Sequence, residues 1–288
     1  MKIAHNRITV PSIQDYKKAG TKIVACTAYD FTMASLVDAA GVDIVLVGDS
    51  VASVFQGEEN TLGVTVDQMI YHCRCVTQAV SQALVVGDMP FLSYQPSTTH
   101  AIEAAGRFLK EGKVSAVKLE GGVAIADTIS RLVDLDIPVM GHVGLTPQSY
   151  HRMGGHKIQG KDRGTGGRPG SRERILLDAR AVEQAGAFAL VLEGIPADLT
   201  LEITNELSIP TIGIGAGSDC DGQVLVINDL LGFTVGSTPS FVRQYAELSS
   251  VITNAVGTFA KEVRSEQFPG KGVRVKPLNN GSQRIRRV

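Results

Sequence analysis

Seven residues combine reactive side chains with a telling position: Asp49, Ser50, Asp88, Lys118, Glu120, His142 and Glu193 each lie within or just after a short apolar run. Asp49, Asp88 and Glu120 close three successive runs. If those runs are neighbouring parallel strands, their ends lie about 5 Å apart and the three carboxylates crowd one another. Such crowding is relieved by raised pKa values or by a cation. An all-oxygen donor set selects a hard ion, and Mg²⁺ with retained waters suits a few carboxylates held on strands. The competing reading for any single Asp after a strand is a helix N-cap. Three in succession weaken that reading.

Lys118 and Glu120 are two positions apart in one run and therefore face the same side. The lysine can hold an anionic substrate group or a developing oxyanion, or simply pair with Glu120. Glu193 closes a later run, across the mouth from the carboxylate trio, where a carboxylate is placed as a general base. Its structural alternative is capping a helix that starts near Pro196. His142 can hydrogen-bond a substrate or satisfy a backbone carbonyl. The glycine run Gly213–Gly217 could cradle a phosphate after a seventh strand, yet its spacing matches neither dinucleotide nor P-loop fingerprints. Close backbone approach to a planar ligand, or a tight turn, explains it equally well.

The elements that must position these residues follow from hydrophobic periodicity. Eight runs rich in Val, Ile and Ala read as strands buried on both faces: Lys22–Ala28, Asp43–Gly48, Ala83–Gly87, Ala116–Leu119, Pro138–His142, Phe188–Leu192, Thr211–Gly215 and Val224–Asn228. Amphipathic stretches separate most of them: Phe31–Ala40, Val66–Gln82, His100–Glu111, Val123–Leu135, Arg172–Ala185 and Asp198–Leu207, with a long last helix predicted over Ser240–Arg264. No helix is expected between the last two strands. Eight such units predict an α/β fold of the (β/α)₈ TIM-barrel type, in which chemistry sits at the C-terminal strand ends. An open doubly wound sheet is the alternative. A short helix over Pro11–Ala19 is placed to plug the barrel bottom.

The chain of 288 residues is 43% apolar, enough for a large core, and its 28 basic and 29 acidic residues leave a net charge of −1. Division by about 150 residues per domain suggests two domains, but a barrel of this size is one. The expectation is a single catalytic domain over 1–270, followed by a basic mobile tail over 271–288 with six Lys/Arg and no acid. The near-neutral total thus combines an acidic body with a basic appendage. Global charge gives no reason to expect nucleic acid. No run approaches the roughly 18 apolar residues of a membrane helix, and the polar N-terminus has no signal-peptide core, so a cytoplasmic protein is expected. The four cysteines, at irregular spacing, are no disulfide framework, and Cys73 and Cys75 on one helix point to different faces.

Several segments together resemble the ketopantoate hydroxymethyltransferase family: GDS (48–50), VTVDQMIYH (64–72), VGDMPFLSYQ (86–95), VKLEGG (117–122), GHVGLTPQS (141–149), LEGIP (192–196) and IGIGAG with DGQVLV (212–226). The resemblance runs in order from about Thr21 to Tyr245. It implies a barrel of the phosphoenolpyruvate/pyruvate superfamily that moves a hydroxymethyl group from 5,10-methylenetetrahydrofolate to 3-methyl-2-oxobutanoate for pantothenate synthesis. It further implies that Asp49, Asp88 and Glu120 form a Mg²⁺ site and that Asp49, Ser50, Asp88 and Lys118 hold the 2-oxo acid. Glu193 is the implied proton acceptor, and a cytoplasmic homo-oligomer, often a decamer in the family, is the implied assembly.

The sequence departs from the family pattern in four places. Val51-Ala52-Ser53 follows GDS where Leu-Gly-Met is usual, and Gly63 stands where a proline is usual. The Arg163–Arg174 loop is longer, and the basic tail has no counterpart. A Mg²⁺-dependent C–C lyase of the same superfamily is the competing enzyme, but its K-K-C-G-H loop is absent from the sequence. A non-catalytic, ligand-binding barrel is the third reading.

Overall fold

The computed structural model describes residues 7–162 and 168–270. Eight strands alternate with helices: β1 (Ile23–Thr27), β2 (Ile44–Val47), β3 (Leu84–Asp88), β4 (Ala116–Glu120), β5 (Val139–Gly144), β6 (Ala189–Glu193), β7 (Thr211–Ile214) and β8 (Gly222–Leu225). The larger helices are α1 (Val10–Ala19) before β1, α2 (Phe31–Ala39) after it, and, beyond the single turn α3 (Val51–Val54), α4 (Val66–Ala79). Next come α5 (Thr98–Lys110), α6 (Ala126–Val133), the short α7 (Tyr150–Met153), α8 (Arg172–Gln184) and α9 (Ala197–Glu206). The short α10 (Ile227–Leu230) follows β8, and α11 (Leu248–Arg264) comes last. All neighbouring strands pair in parallel and β8 closes onto β1, so the sheet is a closed (β/α)₈ barrel. The open-sheet alternative is excluded by that closure.

Two apolar layers explain why the strands are apolar on consecutive positions. One layer fills the barrel: Ile23, Ile44, Leu84, Ala116 and Met140 point inward and meet Ile13 of α1. Ile13 is completely buried, so α1 plugs the barrel floor as its sequence suggests. Thr9 and Ser12 form a capping box at its start, and Gly20 in the left-handed region ends it. Lys17 Nζ fastens the plug, reaching Asp221 Oδ2 at 2.9 Å and the Thr204 carbonyl at 3.0 Å. The second layer, including Val45, Val85, Val117 and Val139, packs outward against the helices.

Two sequence expectations shift here. The eighth strand, expected at 224–228, is Gly222–Leu225, and Ile227–Leu230 turns into α10. A short apolar run reads alike as strand or buried helical turn. Two features decide it. Gly222 lets the backbone of β1 approach, since a Cβ there would stand 2.4 Å from the Ile23 carbonyl oxygen. Thr27 Oγ1 then accepts from the Ile227 amide at 3.0 Å, drawing the chain out of the sheet. The last helix begins at Leu248 rather than Ser240, because the amides of Tyr245 and Leu248 donate to the carbonyls of Leu230 and Leu231 at the end of α10. The basic tail expected over 271–288 lies outside the described residues, as do 163–167 of the long loop.

Asp38 on α2 shows how helix and sheet are tied together. Its carboxylate accepts from the amides of Ser81, Gln82 and Ala83, which lead into β3, and from the Ser81 hydroxyl. Burial pushes its pKa up, but these donors outweigh burial and hold it below the usual carboxylate value. Hydrogen bonds to a charged group are worth about 1.5–3 kcal/mol, so Asp38→Asn is expected to lose about that much stability at pH 7 in urea denaturation. A depressed native pKa gives stability that is present above the unfolded value of about 4 and lost as pH falls through the native one. The gap between wild type and variant therefore narrows towards pH 3. An equal gap at both pH values would exclude the carboxylate charge as its source.

Candidate functional site

The C-terminal ends of β2 to β6 bring the reactive residues of the sequence together. Asp88 and Glu120 are the last residues of β3 and β4, Asp49 follows β2 by two positions, and Glu193 ends β6. In register, Asp88 stands beside Lys118 and Glu120 beside His142. Asp49, Asp88, Lys118, Glu120 and His142 are all buried. Lys118 Nζ lies 2.8 Å from Asp88 Oδ1, 3.5 Å from Glu120 Oε1 and 3.2 Å from His142 Nδ1. The pairing with Glu120 foreseen from the sequence is therefore the weaker of two. On its other edge, His142 Nε2 lies 3.2 Å from Glu193 Oε2. Expected across the mouth from the trio, Glu193 is instead joined to it through a single imidazole on the strand between.

The helix-cap readings separate cleanly. Asp30 caps α2, accepting from the Met33 amide at 2.9 Å. Asp49 caps nothing; its Oδ2 accepts from the Gln148 side-chain amide at 3.0 Å. Glu193 is no cap either, because α9 starts after Pro196 without a side-chain cap. Ser50 precedes α3 and its hydroxyl hydrogen-bonds with the Tyr29 hydroxyl at 2.8 Å, one residue beyond the carboxylates. In the glycine run, Gly215 and Gly217 have φ of +59° and +84°, the conformation a tight turn requires.

Burial and charge set the protonation of this cluster. Burial first, then the neighbouring charges of Asp88 and Glu120, pushes Asp49 well above the usual carboxylate range. Asp88 is also raised, chiefly by burial, with Lys118 opposing. Glu120 goes the other way: burial raises it, but Lys118, His142 and the Gln148 amide hold it below normal. Burial and the Lys118 charge push His142 down, yet Glu120 and Glu193 outweigh them and take it up to about 9. Lys118, despite burial, is held above its ordinary value by Asp88, Glu120 and Asp49. The charges are thus mutually compensated rather than neutralised one by one.

The donor set suits a hard cation. Each carboxylate has one oxygen pinned by a nitrogen donor: Asp49 Oδ2 by Gln148 Nε2, Asp88 Oδ2 by the Asp49 amide at 3.1 Å, and Glu120 Oε2 by the Gln148 amide at 3.0 Å. Asp88 Oδ1 and Glu120 Oε1 are buried and face nitrogens, Asp88 Oδ1 with Lys118 Nζ at 2.8 Å and Glu120 Oε1 with Lys118 Nζ at 3.5 Å and His142 Nδ1 at 3.3 Å, and their remaining lone pairs leave acceptor capacity that a cation could use. Among the described residues no three His, Cys, Asp or Glu side chains already converge as a ligand set. Lys118 occupies the space between two of the carboxylates, and closure around an ion would require it to shift.

Two residues of this site went unmarked in the sequence reading. Gln148, in the turn after β5, contacts Asp49 and Glu120 as above, and Tyr94 holds it with a 2.7 Å hydroxyl bond to Oε1. Their sequence signal is that they lie a few residues beyond β5 and β3, inside the segments GHVGLTPQS and VGDMPFLSYQ that carry the family resemblance. A cavity of about 400 Å³ opens beside them, lined by Glu120, Tyr94, Gln148, Phe91, Arg152 and Arg174 among others. Its size is in the range of small-molecule sites.

Comparison with known proteins gives this geometry its context. A model of the family described as ketopantoate hydroxymethyltransferase matches residues 7–271. A 3-methyl-2-oxobutanoate hydroxymethyltransferase of Geobacter metallireducens is 54% identical over 264 residues, covering 92% of this chain and 97% of the relative. One from Pelobacter propionicus is also 54% identical, covering 91% and 95%. Among solved structures, phosphonopyruvate hydrolase in complex with oxalate and Mg²⁺ has a TM-score of 0.59 at 12% identity, covering 93% of this chain and 92% of that one. A 2,3-dimethylmalate lyase has a TM-score of 0.55 at 16% identity, covering 94% and 91%. At such low identity these structures establish the fold alone.

Proposed function

The chain belongs to the ketopantoate hydroxymethyltransferase family and is a one-carbon transferase, and from that premise we propose the following reaction. The hydroxymethyl group of 5,10-methylenetetrahydrofolate is transferred to C3 of 3-methyl-2-oxobutanoate, giving 2-dehydropantoate for pantothenate and coenzyme A synthesis. The observation that supports the mechanism best is the unbroken line of groups from Asp88 through Lys118 and His142 to Glu193, with separations of 2.8, 3.2 and 3.2 Å.

Asp49, Asp88 and Glu120 would hold Mg²⁺, which when bound supplies Lewis-acid stabilisation to the oxygens of a 2-oxo acid. The 2-oxo acid itself is held by Asp49, Ser50, Asp88 and Lys118, with His142 within reach of it. Lys118 is a fixed positive charge beside that site, placed to offset the negative charge that develops when C3 loses its proton. Glu193 accepts that proton as general base. Glu120 and Glu193 favour the protonated form of His142, and its Nε2, 3.2 Å from Glu193 Oε2, holds that carboxylate in place. The resulting C3 nucleophile forms the new C–C bond to the methylene carbon, the bonds of that carbon to the two folate nitrogens break, water supplies the hydroxyl oxygen, and tetrahydrofolate leaves. The protein supplies position and charge, while the folate supplies the electrophile.

The proposal extends to the setting of the enzyme. Residues 1–270 form one catalytic domain, followed by the basic tail. No helix among the described residues is long and apolar enough to cross a membrane, and a cytoplasmic biosynthetic enzyme without nucleic-acid or membrane partners is the reading adopted. A homo-oligomer is supported by α11, which buries no residue although Ile252, Val256, Phe259 and Val263 form an apolar stripe along it.

The direct test incubates the protein with Mg²⁺, 3-methyl-2-oxobutanoate and 5,10-methylenetetrahydrofolate and follows 2-dehydropantoate by mass spectrometry. Product that requires all three components is expected. Absence of product, with cleavage of a 2-oxo or 2-hydroxy diacid instead, would overturn the transferase reading.

A further inference from the structure

Gln148 hydrogen-bonds two members of the carboxylate trio, Asp49 through its side chain and Glu120 through its backbone. Its side-chain Nε2 donates to Asp49 Oδ2 at 3.0 Å and to the Met89 carbonyl at 3.0 Å, while its backbone amide donates to Glu120 Oε2 at 3.0 Å. It is buried, with 7% of its surface exposed. The amide cannot turn over. Its Oε1 accepts from the Tyr94 hydroxyl at 2.7 Å and from Gln95 Nε2 at 3.0 Å, so the NH₂ group must face Asp49. Tyr94 adds a second link, accepting from the Glu120 amide at 3.0 Å.

From this arrangement we propose that Gln148 is a positioning residue of the carboxylate site, with Tyr94 as its brace. By occupying Asp49 Oδ2 with its side chain and Glu120 Oε2 with its backbone amide, it fixes the rotation of both carboxylates and leaves ligation to their second oxygens, of which Glu120 Oε1 faces Lys118 and His142. The chemistry explains why an amide stands here. A carboxylate of the same length would place a fourth acceptor against Asp49, and an aliphatic side chain would leave Asp49 Oδ2 and the Tyr94 hydroxyl without this partner. Only an amide donates to Asp49 and accepts from Tyr94 and Gln95 without changing the charge of the cluster. Groups that orient first ligands in this way typically contribute about 10–100-fold to metal affinity.

The inference rests on the reading of Asp49, Asp88 and Glu120 as the ion site, and its test separates the two. Mg²⁺ binding to the full chain is measured by isothermal titration calorimetry for wild type, Gln148→Met and Tyr94→Phe, with metal-free folding checked by circular dichroism. Wild type is expected to bind Mg²⁺, and Gln148→Met to bind about 10–100-fold more weakly. Tyr94→Phe, which removes one brace, is expected to weaken binding about fivefold. In the transfer assay the apparent KM for Mg²⁺ rises by the same factors, whereas kcat at saturating Mg²⁺ changes much less. A merely structural role would lower thermal stability and leave Mg²⁺ affinity within twofold of wild type. That result in folded Gln148→Met, or in Tyr94→Phe should Gln148→Met not fold, overturns the proposal. Failure of wild type to bind Mg²⁺ overturns the ion-site reading and the proposal together.

Discussion

Replacement of Glu193 by Gln is expected to lower kcat for hydroxymethyl transfer by about 10²–10⁴, the range over which a positioned general base contributes. Glutamine keeps the length and shape of the side chain but cannot accept a proton from C3. The KM for 3-methyl-2-oxobutanoate should change little, because the proposed binding groups lie on or just after β2 to β4, with His142 on β5, and the base lies on β6. Loss confined to kcat is the signature of an interaction made only in the transition state. Steady-state kinetics on the purified variant provides the check. A variant with normal kcat would show that another group removes the C3 proton.

The second large effect concerns Lys118. Its ammonium is the only lysine or arginine charge paired with Asp88 and Glu120 among the described residues, and it is 4% exposed. Removing one member of a buried charge pair costs about 3–5 kcal/mol, which for a domain of this size lowers the melting temperature by roughly 5–15 °C. Lys118→Met is expected to show that loss at pH 8 without metal, together with a fall of about 10²–10³ in transfer rate from the missing charge compensation. The pH dependence has a definite sign. Asp49 and Asp88 already have raised pKa values in the folded chain, and loss of Lys118 raises them further. The folded state then binds protons more readily than the unfolded chain, so its stability falls as pH rises. The deficit should therefore be largest at pH 8 and shrink towards pH 5. Mg²⁺ should raise the melting temperature of the variant more than that of wild type, since a cation replaces the lost charge. Melting curves at the two pH values, with and without Mg²⁺, decide the matter. An unchanged melting temperature at pH 8 would show that the carboxylates do not depend on Lys118.

The barrel was legible because most strands, such as β2, β3 and β6, are buried on both faces and read as near-continuous apolar runs. Asp49, Asp88 and Glu120 were legible for the same reason: a charge that closes such a run stands out. What lies between strands did not show. Register placed Asp88 beside Lys118 and Glu120 beside His142, and no local pattern encodes register. His142 consequently had two equal readings in the sequence and only in the fold becomes the link between Glu120 and Glu193. Gln148 and Tyr94 were missed because a polar residue in a loop looks the same whether it faces water or pins a buried carboxylate. β8 was misplaced because VLVIN suits a strand and a buried turn alike, and the decision rests on a contact with Thr27, 200 positions away.

Removal of the C3 proton of the 2-oxo acid is the central step, and it can be observed without any transfer. Wild-type protein is mixed with Mg²⁺ and 3-methyl-2-oxobutanoate in D₂O, without folate, and the C3 proton signal is followed by NMR beside Glu193→Gln. The expected result is loss of the signal with wild type and exchange slower by at least about 10² with the variant. Equal exchange in the two proteins, or transfer by wild type with no exchange under any condition, would contradict proton abstraction by Glu193 at this barrel mouth.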